Sequence, residues 1–330
     1  MTLDKLVPND GQARPCAMAP ADGPWPRETV GLACGTQVSV VSAPGPAGGE
    51  PVLCVHGMAG AATNWTDFQA EIGGEFACDA IDLPGSGWSP PPASTTDYSA
   101  PALAGAVTAF IERRARGPVH LVGNSMGGLI SVKVAATRPD LVRTLTLVSP
   151  ALPDRKVRPL HLEFPLLGLP RVGGWLLARA DAHPAEARVR GVLNTIFYYP
   201  ASVSRGRFAE AVAEMERRDT LDYADDALIG AARTITAEYL RPGWSADNAW
   251  RQARAVRCPV LAVYGSHDPL VSARMAGRAA REFGDCRVIV LPYTRHVAQM
   301  EHPARVAAEF RELVAAARAR RAGDPPAVAR

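Results

Sequence analysis

Three residue types that could together carry out nucleophilic catalysis follow three separate apolar runs of the sequence. Ser125 lies in LVGNSMGGLI, between the glycines of a G-x-S-x-G pattern. A sharp turn at this serine needs flanking residues with almost no side chain, and it would lift the hydroxyl away from the backbone at the start of a helix. Asp268 follows another run in YGSHDPLV, and His296 follows a third in YTRHVAQMEHP. A serine nucleophile, a histidine base and a carboxylate that orients the histidine are the groups that acyl transfer requires.

Each of these three residues has competitors in the sequence. The glycine-flanked serine also fits a plain tight turn, and Asp268 could instead cap the helix that follows it. The other aspartates and histidines that we considered are Asp82, Asp154, Asp285, His56, His120, His267 and His302. His120 lies within an apolar strand pattern, which predicts a packed core histidine. His296 and His302 are six residues apart with a proline following, a poor spacing for metal ligands, so we predict no metal site.

The elements that would position these residues alternate between apolar runs and helix-like segments. The apolar runs span 51–57, 76–83, 118–124, 143–150, 258–265 and 287–292. Short apolar runs between helices predict a mostly parallel sheet that is buried on both faces, because parallel strands need crossover connections. We therefore predict an α/β fold with a doubly wound sheet. Ligands bind beyond the carboxyl ends of such strands, where the serine, the aspartate and the histidine would all lie.

This alternation stops for about a hundred residues before it resumes near the C-terminus. The interruption holds helix-like segments separated by Pro and Gly, which we interpret as a cap inserted between two strands of one sheet. The predicted organisation is a poorly ordered segment at 1–28, an α/β core at 29–152 and 257–320, a helical cap at 153–256 and a flexible tail at 321–330.

The composition favours a single enzyme-sized domain without nucleic-acid or membrane partners. The chain has 330 residues, 47% hydrophobic residues and a net charge of +3, and its basic residues are spread rather than clustered. No apolar run reaches the 18 residues of a membrane span, and the N-terminus lacks the pattern of a signal peptide. The six cysteines lack C-x-x-C spacing. We expect a cytoplasmic location and no cofactor, while the oligomeric state is left open.

Five motifs, in their order along the chain, resemble those of α/β-hydrolase-fold enzymes with a cap domain. They are HGMAG, DLPGSGWS, GNSMGG, YGSHDPLV and RHVAQMEHP. The resemblance implies that Ser125, Asp268 and His296 form the catalytic triad, and the order Ser, Asp, His matches the family. It also implies that the backbone N–H groups of Met58 and Met126 form the oxyanion hole.

The resemblance extends over about residues 30 to 320 and limits the chemistry. Relatives that open epoxides or displace halide carry aspartate at the position of Ser125. A serine there favours acyl chemistry on esters, thioesters, lactones or activated C–C bonds. GNSMGG with Asn64 and Trp65 resembles the hydrolases of ring-cleavage products, but these commonly carry Trp after the catalytic histidine, where this chain has Val297. We predict a carboxylesterase-like serine hydrolase that forms an acyl-enzyme. The alternatives are a C–C bond hydrolase of a meta-cleavage-type dienoate or related diketone, and a ligand-binding protein without hydrolytic activity.

The predicted substrate is a small molecule with an apolar acyl or aromatic group. The cap stretches FPLLGLPRVGGWLL and NTIFYYP are apolar and predict a hydrophobic pocket, although they could instead only pack the cap against the core. The residues predicted to contact substrate are His56, Asn64, Trp65, Asn124, Trp175, Phe197 and Val297.

Overall fold

A single eight-stranded sheet organises the described part of the chain. The structure is a computed structural model, and it describes residues 25–33, 35–154, 156 and 163–323. The strands are β1 (Arg27–Gly31), β2 (Gln37–Ala43), β3 (Glu50–Val55), β4 (Phe76–Ile81), β5 (Val119–Asn124), β6 (Val142–Val148), β7 (Val260–Gly265) and β8 (Cys286–Leu291). Their order in the sheet is β1-β2-β4-β3-β5-β6-β7-β8. The pairs β1–β2 and β2–β4 are antiparallel and the other neighbours are parallel, which confirms the predicted α/β fold.

Helices cover both faces of this sheet. Among the described residues they are α1 (Thr66–Ile72), α2 (Ala100–Arg114), α3 (Met126–Thr137), α4 (Glu163–Gly168), α5 (Pro170–Asp181), α6 (Ala185–Ile196), α7 (Arg205–Asp219), α8 (Ala224–Leu240), α9 (Ala249–Ala255), α10 (Met275–Glu282), α11 (Ala298–Glu301) and α12 (Pro303–Ala322). None of these described helices has the length and apolar character needed to cross a membrane.

Alternate residues of the central strands pack into two separate cores, one on each face of the sheet. Leu53 and Val55 of β3 pack with residues of α2, α3, α9 and α10, whereas Val52 and Cys54 pack with residues of α1 and α12. Successive side chains of a strand point to opposite faces, so a strand buried on both faces must be apolar throughout. The doubly wound arrangement that the sequence predicts is therefore confirmed.

Five helices between β6 and β7, α4 to α8, are called the inserted helices below. They contact one another through α4 with α8, α5 with α8, and α6 with α7, while α9 packs on α3 of the core. In the described residues of the predicted cap there is no strand. Residues 155 and 157–162 of that stretch lie outside the described residues. That the inserted helices form a separate domain remains a prediction.

Two predicted boundaries differ from the structure by about two residues. β1 begins at Arg27, inside the segment predicted to be poorly ordered, because Arg27 pairs with Val41 and its guanidinium bonds the carboxylate of Asp82 at 2.5 Å. α12 continues to Ala322 and ends where Gly323 adopts a left-handed φ of 87°, beyond the predicted end of the core. The rest of the two predicted terminal segments, 1–24 and 324–330, lies outside the described residues.

Candidate active site

Ser125 lies at a strained turn between β5 and α3. Its φ of 53° and ψ of −119° are values that residues with a side chain rarely adopt. A Cβ atom at Gly127 would overlap the carbonyl oxygen of Val55, and one at Gly123 would lie 2.5 Å from the carbonyl oxygen of Gly127. Close backbone approach therefore requires both flanking glycines, as the G-x-S-x-G pattern predicts.

His296 and Asp268 form a buried hydrogen-bonded pair. His296 Nδ1 lies 2.9 Å from Asp268 Oδ2, and Asp268 Oδ1 accepts the N–H groups of Leu270 at 2.8 Å and Val271 at 2.9 Å. Burial alone would raise the pKa of Asp268, but the charge and hydrogen bond of His296, with the N–H of Val271, outweigh it and hold this pKa below its usual value. The charged carboxylate fixes the His296 tautomer with the proton on Nδ1, so Nε2 is available as a base.

Ser125 and His296 line the same cavity beyond the carboxyl ends of β5 and β8. Between these two described side chains there is no hydrogen bond, so the serine is the one member of the predicted triad that is not yet joined to the others. Such contacts are often long in an unliganded site and tighten when substrate binds. The structure thus brings Ser125 and His296 to one cavity wall, with Asp268 buried behind the histidine, and the catalytic roles of all three remain predictions.

Asn124, predicted to contact substrate, holds the histidine segment in place. Its side-chain Nδ2 donates to the backbone carbonyls of Val148 and His296, each at 3.1 Å. These bonds tie the end of β5, and hence the serine turn, to the segment that carries the histidine. Asn124 also lines the cavity. Both amide N–H groups are therefore engaged in fixing the relative position of the two candidate catalytic elements.

Two backbone N–H groups lie beside the serine turn. The N–H of Met126 is the first of α3 and has no carbonyl one turn earlier to bond. Met58 lies in the loop after β3, and this loop runs so close to the serine that a Cβ at Gly57 would lie 2.9 Å from Ser125 Cβ. Neither N–H donates to another protein group in the described ranges. This arrangement suits donation to an oxyanion, so the predicted roles of Met58 and Met126 are compatible with their places.

A cavity of about 270 Å³ connects Ser125 and His296 with the inserted helices. Most of the lining is apolar, with Arg217, Arg218 and Glu214 of α7 supplying charged groups. Its apolar wall on the inserted helices includes Val189, Val192, Leu193, Ile196, Ala227, Leu228, Ala231 and Ile235. Mostly apolar concave sites with a few polar groups are typical small-molecule sites. In the described part of the chain, no group of three or more metal-ligating side chains could hold a metal ion.

Two residues predicted to contact substrate, His56 and Trp65, are fully buried and lie outside the cavity lining. His56 Nε2 accepts the N–H of Leu83 at 3.0 Å, and its Nδ1 donates to the carbonyl of Gly57 at 2.7 Å, which joins the loops after β3 and β4. Burial lowers the pKa of His56, so its ring is neutral. Trp65 packs edge-on against Phe68 in the core, with ring centroids 5.8 Å apart.

Trp175 and Phe197, also predicted to contact substrate, lie outside the cavity lining as well. Trp175 is 59% exposed on the outer side of α5, where the guanidinium of Arg179 lies 5.2 Å from its ring centroid. Phe197 is buried in a small apolar cluster with Val189 and Val297 and is not part of the cavity lining. Trp175 thus lies at the surface, and Phe197 packs among the inserted helices. Both places accord with the alternative interpretation, in which these apolar stretches only pack the cap.

The remaining predicted contacts, Asn64, Asn124 and Val297, do line the cavity. Sequence reasoning missed the lining of α8, although its apolar residues recur every four positions. Ala227, Ala231 and Ile235 lie on one helical face, and all three line the cavity. This i, i+4, i+8 spacing could have identified the lining face before the structure was known.

The mostly parallel sheet, the serine turn and the Asp–His pair beyond the strand ends define an α/β hydrolase architecture. Residues 50–303 match the α/β hydrolase fold family, and the chain belongs to that family. This confirms the resemblance on which the sequence-based expectations rest.

Three curated relatives cover most of this chain. It is 27% identical over 256 residues to the dihydrolipoyllysine-residue acetyltransferase component of the acetoin cleaving system of Pseudomonas putida, covering 77% of this chain and 60% of that protein. It is 25% identical over 267 residues to the pimeloyl-[acyl-carrier protein] methyl ester esterase of Neisseria meningitidis, covering 80% and 93%. It is 26% identical over 269 residues to the 2-hydroxy-6-oxononadienedioate/2-hydroxy-6-oxononatrienedioate hydrolase of Burkholderia vietnamiensis, covering 78% and 84%. The chain thus spans only 60% of the length of the acetoin-cleaving relatives.

Proposed function

We propose that this protein is a serine hydrolase that cleaves an ester, thioester or lactone bond of a small, largely apolar substrate through an acyl-enzyme. The observation that carries the proposal is that His296, hydrogen-bonded to the buried Asp268, lies on the cavity wall that also presents Ser125. Membership of the α/β hydrolase fold family supports it, and a relative named as a methyl ester esterase is in accord with it. No cofactor takes part in the proposed reaction.

The proposed reaction begins when Ser125 Oγ attacks the substrate carbonyl and His296 Nε2 accepts the hydroxyl proton. The charge of Asp268 stabilises the imidazolium that forms. The N–H groups of Met58 and Met126 would donate to the oxyanion, and the loss of one such donor typically costs about 3–4 kcal/mol of barrier. His296 then returns the proton to the leaving alkoxide, and a water molecule attacks the acyl-enzyme by the same route.

We further propose that the inserted helices act as a cap that selects the acyl group. Support comes from the apolar face of α8, where Leu228, Ala231 and Ile235 line the cavity that Ser125 also lines. An acyl chain placed there loses contact with water, and burial of each CH₂ group is worth about 0.8 kcal/mol. Activity should therefore rise with acyl chain length until the cavity is filled.

Hydrolysis of p-nitrophenyl esters from acetate to octanoate tests this function. We expect Leu228→Trp to shift the preferred ester towards shorter chains, because the indole would fill part of the cavity. Leu240→Trp is the matched control, since Leu240 lies on the same helix but is 78% exposed and outside the cavity lining. An absence of turnover for every ester contradicts the proposed function, whereas an unchanged profile in Leu228→Trp contradicts only the assigned acyl site.

A C–C bond hydrolase is the second candidate, favoured by the relative from Burkholderia vietnamiensis named as a dienedioate hydrolase. Both reactions use a serine, a histidine and an acid, so the candidate site accommodates either. The two candidate activities are compared at equal enzyme concentration. Hydrolysis of a ring-cleavage dienoate is followed by its loss of absorbance, and its rate is set against the rates for the ester series. A kcat/KM for the dienoate that exceeds that of every ester would replace the ester proposal with this one.

A further inference from the structure

The segment that carries His296 is fastened to the C-terminal end of α6. The backbone N–H of His296 donates to the carbonyl of Ile196 at 3.0 Å. The guanidinium of Arg295 donates to the backbone carbonyls of Asn194 and Thr195. A candidate catalytic residue of the core is thus placed partly by an element of the inserted helices. Any displacement of the end of α6 would be passed directly to the histidine.

Glu301 bridges these two segments with both of its carboxylate oxygens. Oε1 accepts the backbone N–H of Arg295 at 2.7 Å, and Oε2 accepts the backbone N–H of Tyr198 at 2.6 Å. Arg295 directly precedes His296, and Tyr198 follows the end of α6 by two residues. A carboxylate suits this place because both of its oxygens accept, whereas an amide would turn an NH₂ group towards one of the two N–H donors.

The surroundings of Glu301 raise the pKa of its carboxyl group, so they oppose its ionisation. The pKa of Glu301 is raised to about 6, because burial and the nearby charge of Asp268 raise it by more than the N–H groups of Tyr198 and Arg295 and the charge of Arg295 lower it. At neutral pH the group is ionised, and its two N–H bonds are charge-assisted, which makes them stronger than bonds between neutral groups. The ionised carboxylate therefore strengthens the bridge at the neutral pH at which the proposed reaction would take place.

We propose that Glu301 is a positioning residue, which sets the place of His296 by holding its segment and the end of α6 together. This inference rests on the proposed function, because it assigns His296 the role of base. Glu301 is not part of the cavity lining, so it would act on the proton-transfer step without touching substrate. A displacement of about 1 Å between reacting groups can cost about 100-fold in rate.

The test compares Glu301→Gln with a matched control, Glu309→Gln. Glu309 is buried, whereas Glu301 is half-buried; it lies on the adjacent α12, and its carboxylate bonds the side chains of Arg287 and Arg305. We expect Glu301→Gln to lower kcat for a p-nitrophenyl ester at least tenfold with KM within twofold of wild type, and to slow labelling of Ser125 by a fluorophosphonate. Glu309→Gln should keep wild-type kcat even where its Tm falls equally.

A folded Glu301→Gln with kcat within twofold of wild type overturns the inference, and so does an equal loss of kcat in Glu309→Gln. Where Glu301→Gln does not fold, Glu301→Asp replaces it, because its shorter carboxylate cannot reach both N–H groups at their present distances. A fall in kcat at constant KM supports the bridge, and an unchanged kcat overturns it. A wild-type protein without turnover or labelling would instead refute the proposed function itself.

Discussion

Replacing Asp268 with asparagine tests the acid of the proposed triad with the smallest change of shape. The amide oxygen could still accept the N–H groups of Leu270 and Val271, so the local turn should survive. The amide NH₂ would then face His296 Nδ1 across the present distance of 2.9 Å. Because two donors cannot bond each other, the imidazole would move its proton to Nε2, where it can no longer accept a proton from Ser125.

The expected loss is far larger than that of an ordinary hydrogen bond. A single intramolecular hydrogen bond contributes about 1 kcal/mol to stability, which corresponds to less than tenfold. The loss of the correct tautomer removes the general base, so we expect kcat of Asp268→Asn to fall about 10⁴-fold, or about 5.5 kcal/mol of barrier. The free energy of unfolding should change little, since the amide keeps two backbone bonds and leaves no unpaired buried charge.

The assay is kcat and KM for a p-nitrophenyl ester, with Tm measured on the same preparations. Asp285→Asn is the control, because Asp285 was a rival candidate for the acid and instead forms an ion pair with Arg320 at the surface. We expect the control to keep wild-type kcat. A folded Asp268→Asn protein whose kcat is within tenfold of wild type would refute the tautomer argument. A large loss in the control would show that the assay does not separate the two aspartates.

Three further predictions concern the elements around the site. Burial lowers the pKa of His120 to about 4, so the unfolded chain binds more protons between pH 6.5 and 4 and stability is lost as the pH falls through this range. His120→Gln should remove up to about 3 kcal/mol of that acid dependence, and an unchanged curve of Tm against pH would contradict this. Lys133→Met should cost about 3 kcal/mol in urea unfolding, because it leaves the buried Glu238 carboxylate, 3.1 Å from the ammonium, without this partner. Lys133→Met combined with Glu238→Leu should recover most of that loss, and a double variant as unstable as the single one would refute the assignment. Asn124→Ala should lower kcat about tenfold through loss of the bond to the histidine segment and should also lower Tm, because two buried carbonyls lose this donor; an unaffected kcat would show that this bond does not position the base.

The sequence predicted the sheet and the places of Ser125, Asp268 and His296 because these depend on local patterns. Apolar runs between helices define buried parallel strands, and residues just after such strands reach one edge of the sheet. The sequence also predicted that positions 123 and 127 require glycine, because a sharp turn at the serine leaves no room for side chains beside it.

Side-chain direction near the site was not predictable in the same way. Trp65 follows the HGMAG loop closely, and its ring could have pointed to the cavity or to the core. Ala59 in that loop adopts a φ of 56°, a left-handed value that an alanine in the sequence does not predict. The direction of the chain beyond Ala59 depends on this φ. The predictions for Phe197 and Trp175 rest on apolar character alone. Their places depend on how the inserted helices pack against one another, which is a tertiary property.

Covalent labelling by a fluorophosphonate, read by intact mass on wild type and Ser125→Ala, tests the central claim most directly. The reagent reacts with a serine only where a base has activated the hydroxyl. The proposed function predicts one adduct on the wild-type protein, at Ser125, and none on the Ser125→Ala variant. A folded wild-type protein that stays unlabelled would contradict the account, and a ligand-binding role without hydrolysis would take its place.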